Sequence, residues 1–416
     1  MTFRHGLVIG KFYPPHAGHH HLIDTAAGAC ARVTVVVAAS TVESIPLALR
    51  TAWLRERHPQ PHVEIVPVVD DVEVDYDSEE IWAAHVAAFR SGLAAASGQD
   101  VRVASEQGVG VASGQGAGVA SGQDVGAVTG QGVGVASGKG AGAVTGQGIG
   151  ALDRPAVDAV FSSEEYGPEL ARRFDAAHVP VDPPRGRFPV SGTAVRSDPV
   201  ACWQWLSPAV RAYLARRVVI VGAESSGTTT LSRALAAHYS GRGGVWAATR
   251  WVPEYGRLYC EEKLALARRT DPDRWIGDLP WASEEFTLIA ERHLALEDAA
   301  ARSGSPLLIC DTDAFATSLW HERYLGALSP DVERVHARTR HDLWILTDTA
   351  GVPFEQDGWR DGESIRERMS ERFREELDRR GLPYVVVTGS HGDRLAAAVA
   401  EIDALLEKGW TFADPL

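Results

Sequence analysis

Apolar positions along the chain fall into short runs, each followed by a turn and then by a stretch with helical spacing. The run Gly6–Gly10 (GLVIG) predicts a buried strand. After the turn KFYPPHAG, leucine, isoleucine and alanine recur at helical spacing. VTVVVAAS predicts a second strand, Leu47–Arg57 a helix and VEIVPVV a third strand, giving the order β-α-β-α-β. Further along, AVDAVFSS reads as a strand, Pro168–Ala177 as a helix, and FPVSGTAVRSDP as a lead-in to a helix over Ala201–Leu214. The same grammar then restarts with the strand RRVVIV, a Gly-rich turn and a helix. It continues through an amphipathic run Glu284–Ala301 and the strands in PLLICDTDAF, HDLWILTD and LPYVVVTG. Alternating strands and helices predict an α/β protein with mostly parallel sheets, whose ligands lie at the carboxyl ends of the strands.

Between the two regions the periodicity changes. Ala94–Ile149 is close to an octad repeat, clearest in GVASGQGA, GAVTGQGV and GVASGKGA. With no aromatic residue and little beyond Val and Ala to bury, it reads as a linker-like insertion; a small β-solenoid is the alternative. The expected division is residues 1–93 with 150–215, an insertion over 94–149, and a second unit over 217–416.

At 416 residues, with 45% hydrophobic and 23% charged positions, the chain is long enough for two or three packed domains. Its net charge of −14 argues against a general nucleic-acid binder, so a phosphate site has to be local. Cys30, Cys202, Cys260 and Cys310 have no CxxC spacing and read as free thiols. With no leader-like start and no uncharged apolar run of membrane length, a cytoplasmic location is the expectation.

Two segments carry chemistry. In Pro14-Pro15-His16-Ala17-Gly18-His19 the spacing puts both imidazoles near a helix N-terminus, where backbone N–H groups and ring nitrogens can meet a phosphate. His20 and His21 read as surface or packing residues. Downstream, Ser191-Gly192-Thr193-Ala194-Val195-Arg196 places hydroxyls and a glycine at a helix start, with a guanidinium one turn in. Alone it reads first as a simple helix N-cap. The second segment, Gly222-Ala-Glu224-Ser225-Ser226-Gly227-Thr228-Thr229-Thr230, follows a strand and opens a helix, as a phosphate-binding loop G-x-x-x-x-G-K-[ST] requires. Thr228 stands in place of the lysine, and Thr229 keeps the hydroxyl suited to Mg²⁺. Asp311, ending an apolar strand, is suited to hold the same ion through water, or else caps a helix.

The pairing of GKFYPPHAGHHHLI with SGTAVR resembles the HxGH nucleotidyltransferase superfamily and, within it, nicotinamide-nucleotide adenylyltransferases of the NadR type. Lys11 in GKFYPPH, the helix from Arg50 to Leu54 with Trp53, and Phe161–Gly167 with Tyr166 match as well. The resemblance implies a Rossmann-like domain in which Gly10, Phe12, Gly18, Ser191, Gly192 and Thr193 bind ATP. His16, His19, Lys11 and Arg196 would act on its phosphates, with Mg²⁺ bridging, and Arg50, Trp53 and Tyr166 would bind the mononucleotide. The reaction implied is direct attack of the mononucleotide phosphate on the α-phosphorus of ATP. A different adenylyl- or cytidylyltransferase is the alternative within the superfamily.

Val252–Arg257 and Asp348–Arg360 resemble the ribosylnicotinamide kinase half of the same family. That resemblance implies a P-loop kinase domain in which Glu254 or Asp313 orients the riboside hydroxyl, and Tyr255, Arg257, Arg360 and Arg366 bind substrate, the last two as lid arginines. Trp281, Trp344 and Trp359 are candidates to stack on the pyridine ring, with core packing the default for a tryptophan. The missing lysine leaves two expectations: a lysine-independent kinase, with Arg233 or a lid arginine substituting, or an impaired domain that senses nucleotide. Family members with an N-terminal helix-turn-helix repress transcription; with the first strand at Gly6, none is expected here. Small-molecule substrates are the expected partners, with neither nucleic acid nor membrane, and a homo-oligomer is compatible.

Overall fold

A computed structural model describes residues 2–96, 157–355 and 362–416. The first unit runs β1 (Phe3–Gly10), α1 (Ala17–Ala29), β2 (Cys30–Ala39), α2 (Leu47–Arg57), β3 (Val63–Val69) and α3 (Glu79–Ala96). After the repeat come β4 (Ala159–Ser162), α4 (Gly167–Phe174), β5 (Ala177–Pro180), α5 (Gly192–Ser197) and α6 (Pro208–Leu214). Its five strands are parallel in the order β3-β2-β1-β4-β5. The first strand in sequence is therefore central, and the order of strand addition reverses between β1 and β4, which opens a crevice at their carboxyl ends. Val8, Val33, Val35 and Val37 bury one face of the sheet against Leu22, Ile23 and Leu54; Leu7, Ile9 and Val36 bury the other against Trp82, Phe89 and Leu93 of α3.

The second unit repeats the plan with β6 (Arg216–Gly222), α7 (Thr228–Ser240), β7 (Arg250–Val252), α8 (Tyr255–Ala267), α9 (Ser283–Ser303), β8 (Leu307–Asp311), α10 (Ala314–Leu325) and α11 (Pro330–His336). It closes with β9 (Leu343–Thr347), α12 (Arg366–Arg380), β10 (Tyr384–Val387) and α13 (His391–Glu407). The sheet order is β10-β9-β6-β8-β7, again all parallel. A shared apolar layer joins the units: Trp53, Val210 and Leu214 pack in one cluster with Val219, Phe315 and Trp344. The segment after α13 returns to the first unit, where Tyr13 donates to the Ala413 carbonyl at 3.0 Å and its ring meets Phe412 edge-on.

Three expected boundaries move. The helix expected over Pro168–Ala177 stops at Phe174, because Asp175 takes a left-handed conformation (φ 53°) and the chain re-emerges as edge strand β5. The helix expected over Ala201–Leu214 is broken: a 3₁₀ turn at Trp203–Trp205 precedes α6, which starts afresh behind Ser207 with Pro208 at its first turn. The insertion border expected at residue 94 falls inside α3, and the octad repeat beyond residue 96 lies outside the described residues. The four cysteines are unpaired, and among the described residues no helix is long and apolar enough to cross a membrane.

Candidate functional site

The first crevice holds a cavity of about 580 Å³ at the carboxyl ends of β1, β2, β3 and β4. Gly10, Lys11, Phe12, His16, Gly18, His19, Tyr166, Ser191, Gly192, Thr193 and Arg196 all line it, although they come from segments up to 186 residues apart. His16 is the extended residue before α1 and His19 lies on its first turn, so their rings stack at 3.8 Å. Gly18 leaves the room for this: a Cβ there would come within 3.1 Å of the His16 ring. Burial, reinforced by the charge of Arg185, pushes His16 down to about 3, and burial with the neighbouring rings pushes His19 well below the usual histidine value. Both are neutral donors at neutral pH, and both Nδ1 atoms are buried without a hydrogen-bond partner among the described residues.

Opposite them, Ser191 caps α5 by accepting from Ala194 N at 3.0 Å. Arg196 is anchored to the Tyr13 carbonyl at 2.8 Å and faces the cavity. Cap and phosphate loop are thus compatible in one segment. Lys11 donates to the Leu416 carbonyl and lies 3.9 Å from Glu43; burial lowers its pKa, while Glu43 and Asp70 oppose the shift.

Two residues expected to contact substrate do not reach this cavity. Arg50 is fully buried, paired with Glu43 at 2.7 Å and donating to the Lys11 carbonyl at 2.8 Å, so it holds the loop rather than a ligand. Trp53 is 7% exposed and packs edge-on against Tyr213 in the layer between the units. The aromatic wall comes instead from Tyr76, Trp82 and Phe89 with Tyr166, and the polar wall includes Asp70, His85 and Arg185. Tyr166 is an expected residue; Trp82, His85 and Phe89 come from α3, and their spacing is the sequence signal that marks one helix face, whereas Asp70, Tyr76 and Arg185 lie in loops that carry no such signal. His20 packs against His58 at 3.0 Å, whereas His21 reaches the cavity wall beside Phe188.

The second cavity, about 170 Å³, lies at the carboxyl ends of β6 and β8. Gly222, Glu224, Ser225, Thr228, Thr229, Glu254, Arg257 and Asp311 line it, with Trp281, Phe286, Trp320 and Tyr324 as its apolar wall. Gly227, at φ 90°, makes the left-handed turn from which α7 starts. Asp311 is 2% exposed; burial raises its carboxyl to about 6 against the opposing hydroxyls of Thr229 and Thr228. Its Oδ2 is buried without a partner among the described residues, so this carboxylate beside the Thr229 hydroxyl fits a hard divalent cation.

Ser226 lies behind the loop, bonded to Thr347 at 2.7 Å, and Thr230 is exposed on α7; Tyr255 begins α8 outside the cavity wall. Asp313 requires correction as a substrate residue. It is fully buried, caps α10 through Ala316 N at 2.9 Å, accepts from Trp344 Nε1 at 3.0 Å and sits 3.3 Å from His341 Nδ1. Trp344 is likewise a core residue, while Trp281 does line the cavity. Arg360 and Trp359 lie outside the described residues. Arg366 is outside the cavity wall but bonds the phosphate loop at the Glu224 and Ser225 carbonyls, at 3.1 and 2.8 Å, and the Val352 carbonyl in the segment after β9 at 2.7 Å.

Comparison with known proteins agrees with both halves of this geometry. Residues 217–394 match the family model described as AAA domain. The chain is 28% identical over 234 residues to the trifunctional NAD biosynthesis/regulator protein NadR of Escherichia coli (strain K12), covering 55% of this chain and 52% of that protein. With the NadR of Salmonella typhimurium (strain LT2) it shares 29% over 203 residues, 48% of this chain and 45% of that protein. The chain thus matches about half the length of these relatives. Among solved structures, NadR protein in complex with NAD and AMP-PNP superposes with a TM-score of 0.62 at 18% identity, over 99% of this chain and 98% of that one. NadR protein in complex with NR gives 0.60 at 18%, over 100% and 98%. By sequence and by fold, the chain resembles the NadR proteins.

Proposed function

We propose that the chain carries out two consecutive steps of NAD synthesis: its second unit phosphorylates nicotinamide riboside with ATP, and its first unit adenylylates the resulting mononucleotide. The observation that carries this reading is the presence of two phosphate-type cavities, each at the carboxyl ends of its own parallel sheet, with the donor sets just described. The relatives' names and bound ligands support the substrate class.

In the first cavity a phosphate oxygen of the mononucleotide attacks the α-phosphorus of ATP. The new O–P bond forms as the bond to the β-phosphate oxygen breaks, and pyrophosphate leaves without a covalent enzyme intermediate. Nothing in the wall needs to act as a nucleophile. Two neutral imidazoles, the α5 N-terminus with Ser191 and Thr193, and the charges of Arg196 and Lys11 meet the phosphates; catalysis is positioning plus stabilisation of developing charge. Tyr76, Trp82 and Tyr166 offer the flat apolar surface a heterocyclic base needs.

In the second cavity the riboside 5′-hydroxyl attacks the γ-phosphorus, its proton passing to Glu254, and ADP leaves. Mg²⁺ held by Thr229 and, through water, by Asp311 would neutralise phosphate charge there. The substitution of Thr228 for lysine favours one second reading, a nucleotide-sensing unit that binds ATP without turnover. Product analysis with Mg²⁺-ATP and either nicotinamide mononucleotide or nicotinamide riboside, in separate tubes, tests both. NAD from each is expected; NAD from the mononucleotide alone would favour the sensor, and no NAD from either would overturn the proposal.

A further inference from the structure

A lysine at the seventh position of a phosphate loop does two things: it ties the loop's carbonyls together and it brings a positive charge to the β- and γ-phosphates. Thr228 can do neither, since it is uncharged and carries only a short hydroxyl side chain. The loop is nonetheless tied. Arg366, the first residue of α12, spans the loop with Nε on the Glu224 carbonyl and Nη2 on the Ser225 carbonyl, while Nη1 reaches Val352 in the segment after β9. Arg394 holds the Ser226 carbonyl at 2.9 Å, but it is 5% exposed and lies behind the loop. Arg323 is paired with Glu224 at 3.0 Å and Arg257 with Glu261 at 3.2 Å; Arg233 stacks on Trp251. Of these cations, Arg366 is the one bound directly to the carbonyls of loop residues that line the cavity, Glu224 and Ser225.

We propose that Arg366 replaces the phosphate-loop lysine, clamping the loop through the carbonyls of residues 224 and 225 and presenting its charge to the β- and γ-phosphates of bound ATP. A guanidinium suits both duties, because its five donors form a rigid fork that can keep two carbonyl bonds while turning the Val352-facing nitrogen to a phosphate oxygen. The bonds made and broken in phosphoryl transfer stay as described above; what Arg366 adds is neutralisation of the charge that develops on the departing ADP. This inference rests on the phosphoryl-transfer reading of the second unit, and the test separates the two.

The variants are Arg366→Ala, Arg366→Lys, Thr228→Lys and the double variant Thr228→Lys/Arg366→Ala, all in the full chain. The readouts are riboside phosphorylation, adenylylation of the mononucleotide as internal control, and hydrogen-exchange protection of residues 222–240 titrated with ATP or with AMP. Arg366→Ala is expected to lower riboside kcat/KM by about 100-fold or more, to weaken protection by ATP, and to leave protection by AMP and adenylylation unchanged. Arg366→Lys should fall between, and Thr228→Lys should restore most of the loss in the Ala background. Unchanged phosphorylation in Arg366→Ala, an equal loss for ATP and AMP, or no rescue by Thr228→Lys would overturn the inference. If the wild-type chain turns over no riboside, the kinase reading falls, and the contrast between ATP and AMP protection still decides whether Arg366 is the phosphate-facing cation.

Discussion

Replacing His341 with Gln should destabilise the second unit strongly and in a pH-dependent way. His341 is fully buried between two carboxylates, with Nε2 2.8 Å from Glu297 Oε2 and Nδ1 3.3 Å from Asp313 Oδ2. Arg217 adds a contact to Glu297 at 3.2 Å, and His293 lies 3.5 Å from its other oxygen. Burial alone would push His341 down, but Glu297 and Asp313 overcome it and raise it to about 10. A histidine raised on folding contributes stability that is fully present below its ordinary 6.5 and is lost as pH climbs through about 10. At about 1.4 kcal/mol per tenfold change in protonation equilibrium, that span sets an upper limit of about 5 kcal/mol. Leaving a buried carboxylate without its cation costs about 3–5 kcal/mol, which agrees. For a unit of this size the fall in Tm is about 6–20 °C. The assay is denaturant unfolding from neutral pH to pH 10, with exchange of the β8 and β9 amides reporting on the second sheet. Because His293 Nε2 also holds the Thr312 carbonyl at 3.0 Å, the same network fixes the end of β8 that aims Asp311, and riboside phosphorylation should fall with stability. A loss under about 0.5 kcal/mol, ordinary for an uncoupled surface change, or a wild-type pH profile parallel to that of H341Q, would refute the reasoning.

Three further outcomes are expected. His16→Ala and His19→Ala should each lower kcat for adenylylation by about 10²–10³-fold, the scale for a donor facing developing charge, with riboside phosphorylation unchanged; and because burial holds His16 down at about 3 and His19 well below the usual histidine value, neither substitution should remove a titration step from the adenylylation rate near neutral pH. Asp311→Asn should abolish phosphorylation of the riboside while leaving adenylylation of the mononucleotide intact, read as ADP and pyrophosphate release in separate assays. Replacing residues 97–149 by a short Gly-Ser bridge should leave adenylylation unaltered, and loss of that activity in a folded deletion protein would reject the linker reading of the repeat.

The alternation of apolar runs with helical segments made the two parallel sheets legible, because strands buried on both faces stand out as continuous Val/Ile runs. Motif residues fixed by backbone chemistry, such as Gly18 and Gly227, were legible for the same local reason. What was not legible depends on tertiary partners. Trp53 sits on a helix whose face turns toward α6 of the same unit, and nothing in its own segment reveals Tyr213 as its neighbour. Asp313 lies two residues from Asp311, and a regular strand would put both on one face; Thr312 between them takes a left-handed conformation (φ 76°) that ends β8 and sends the two to different partners, one to the cavity, the other to His341 and Trp344 from β9 and the turn before it. Part of the cavity's aromatic wall, Trp82 and Phe89, comes from α3, whose Ala-rich end merges in sequence with the start of the repeat.

The central claim, two consecutive sites in one chain, is tested most directly by a time course with nicotinamide riboside as the sole pyridine substrate and excess Mg²⁺-ATP, run on the wild type, His19→Ala and Asp311→Asn. The account predicts that wild type passes through the mononucleotide to NAD, that His19→Ala accumulates mononucleotide, and that Asp311→Asn makes neither product from riboside yet still converts added mononucleotide to NAD. Formation of NAD from riboside by Asp311→Asn, or failure of wild type to produce any mononucleotide, would contradict it.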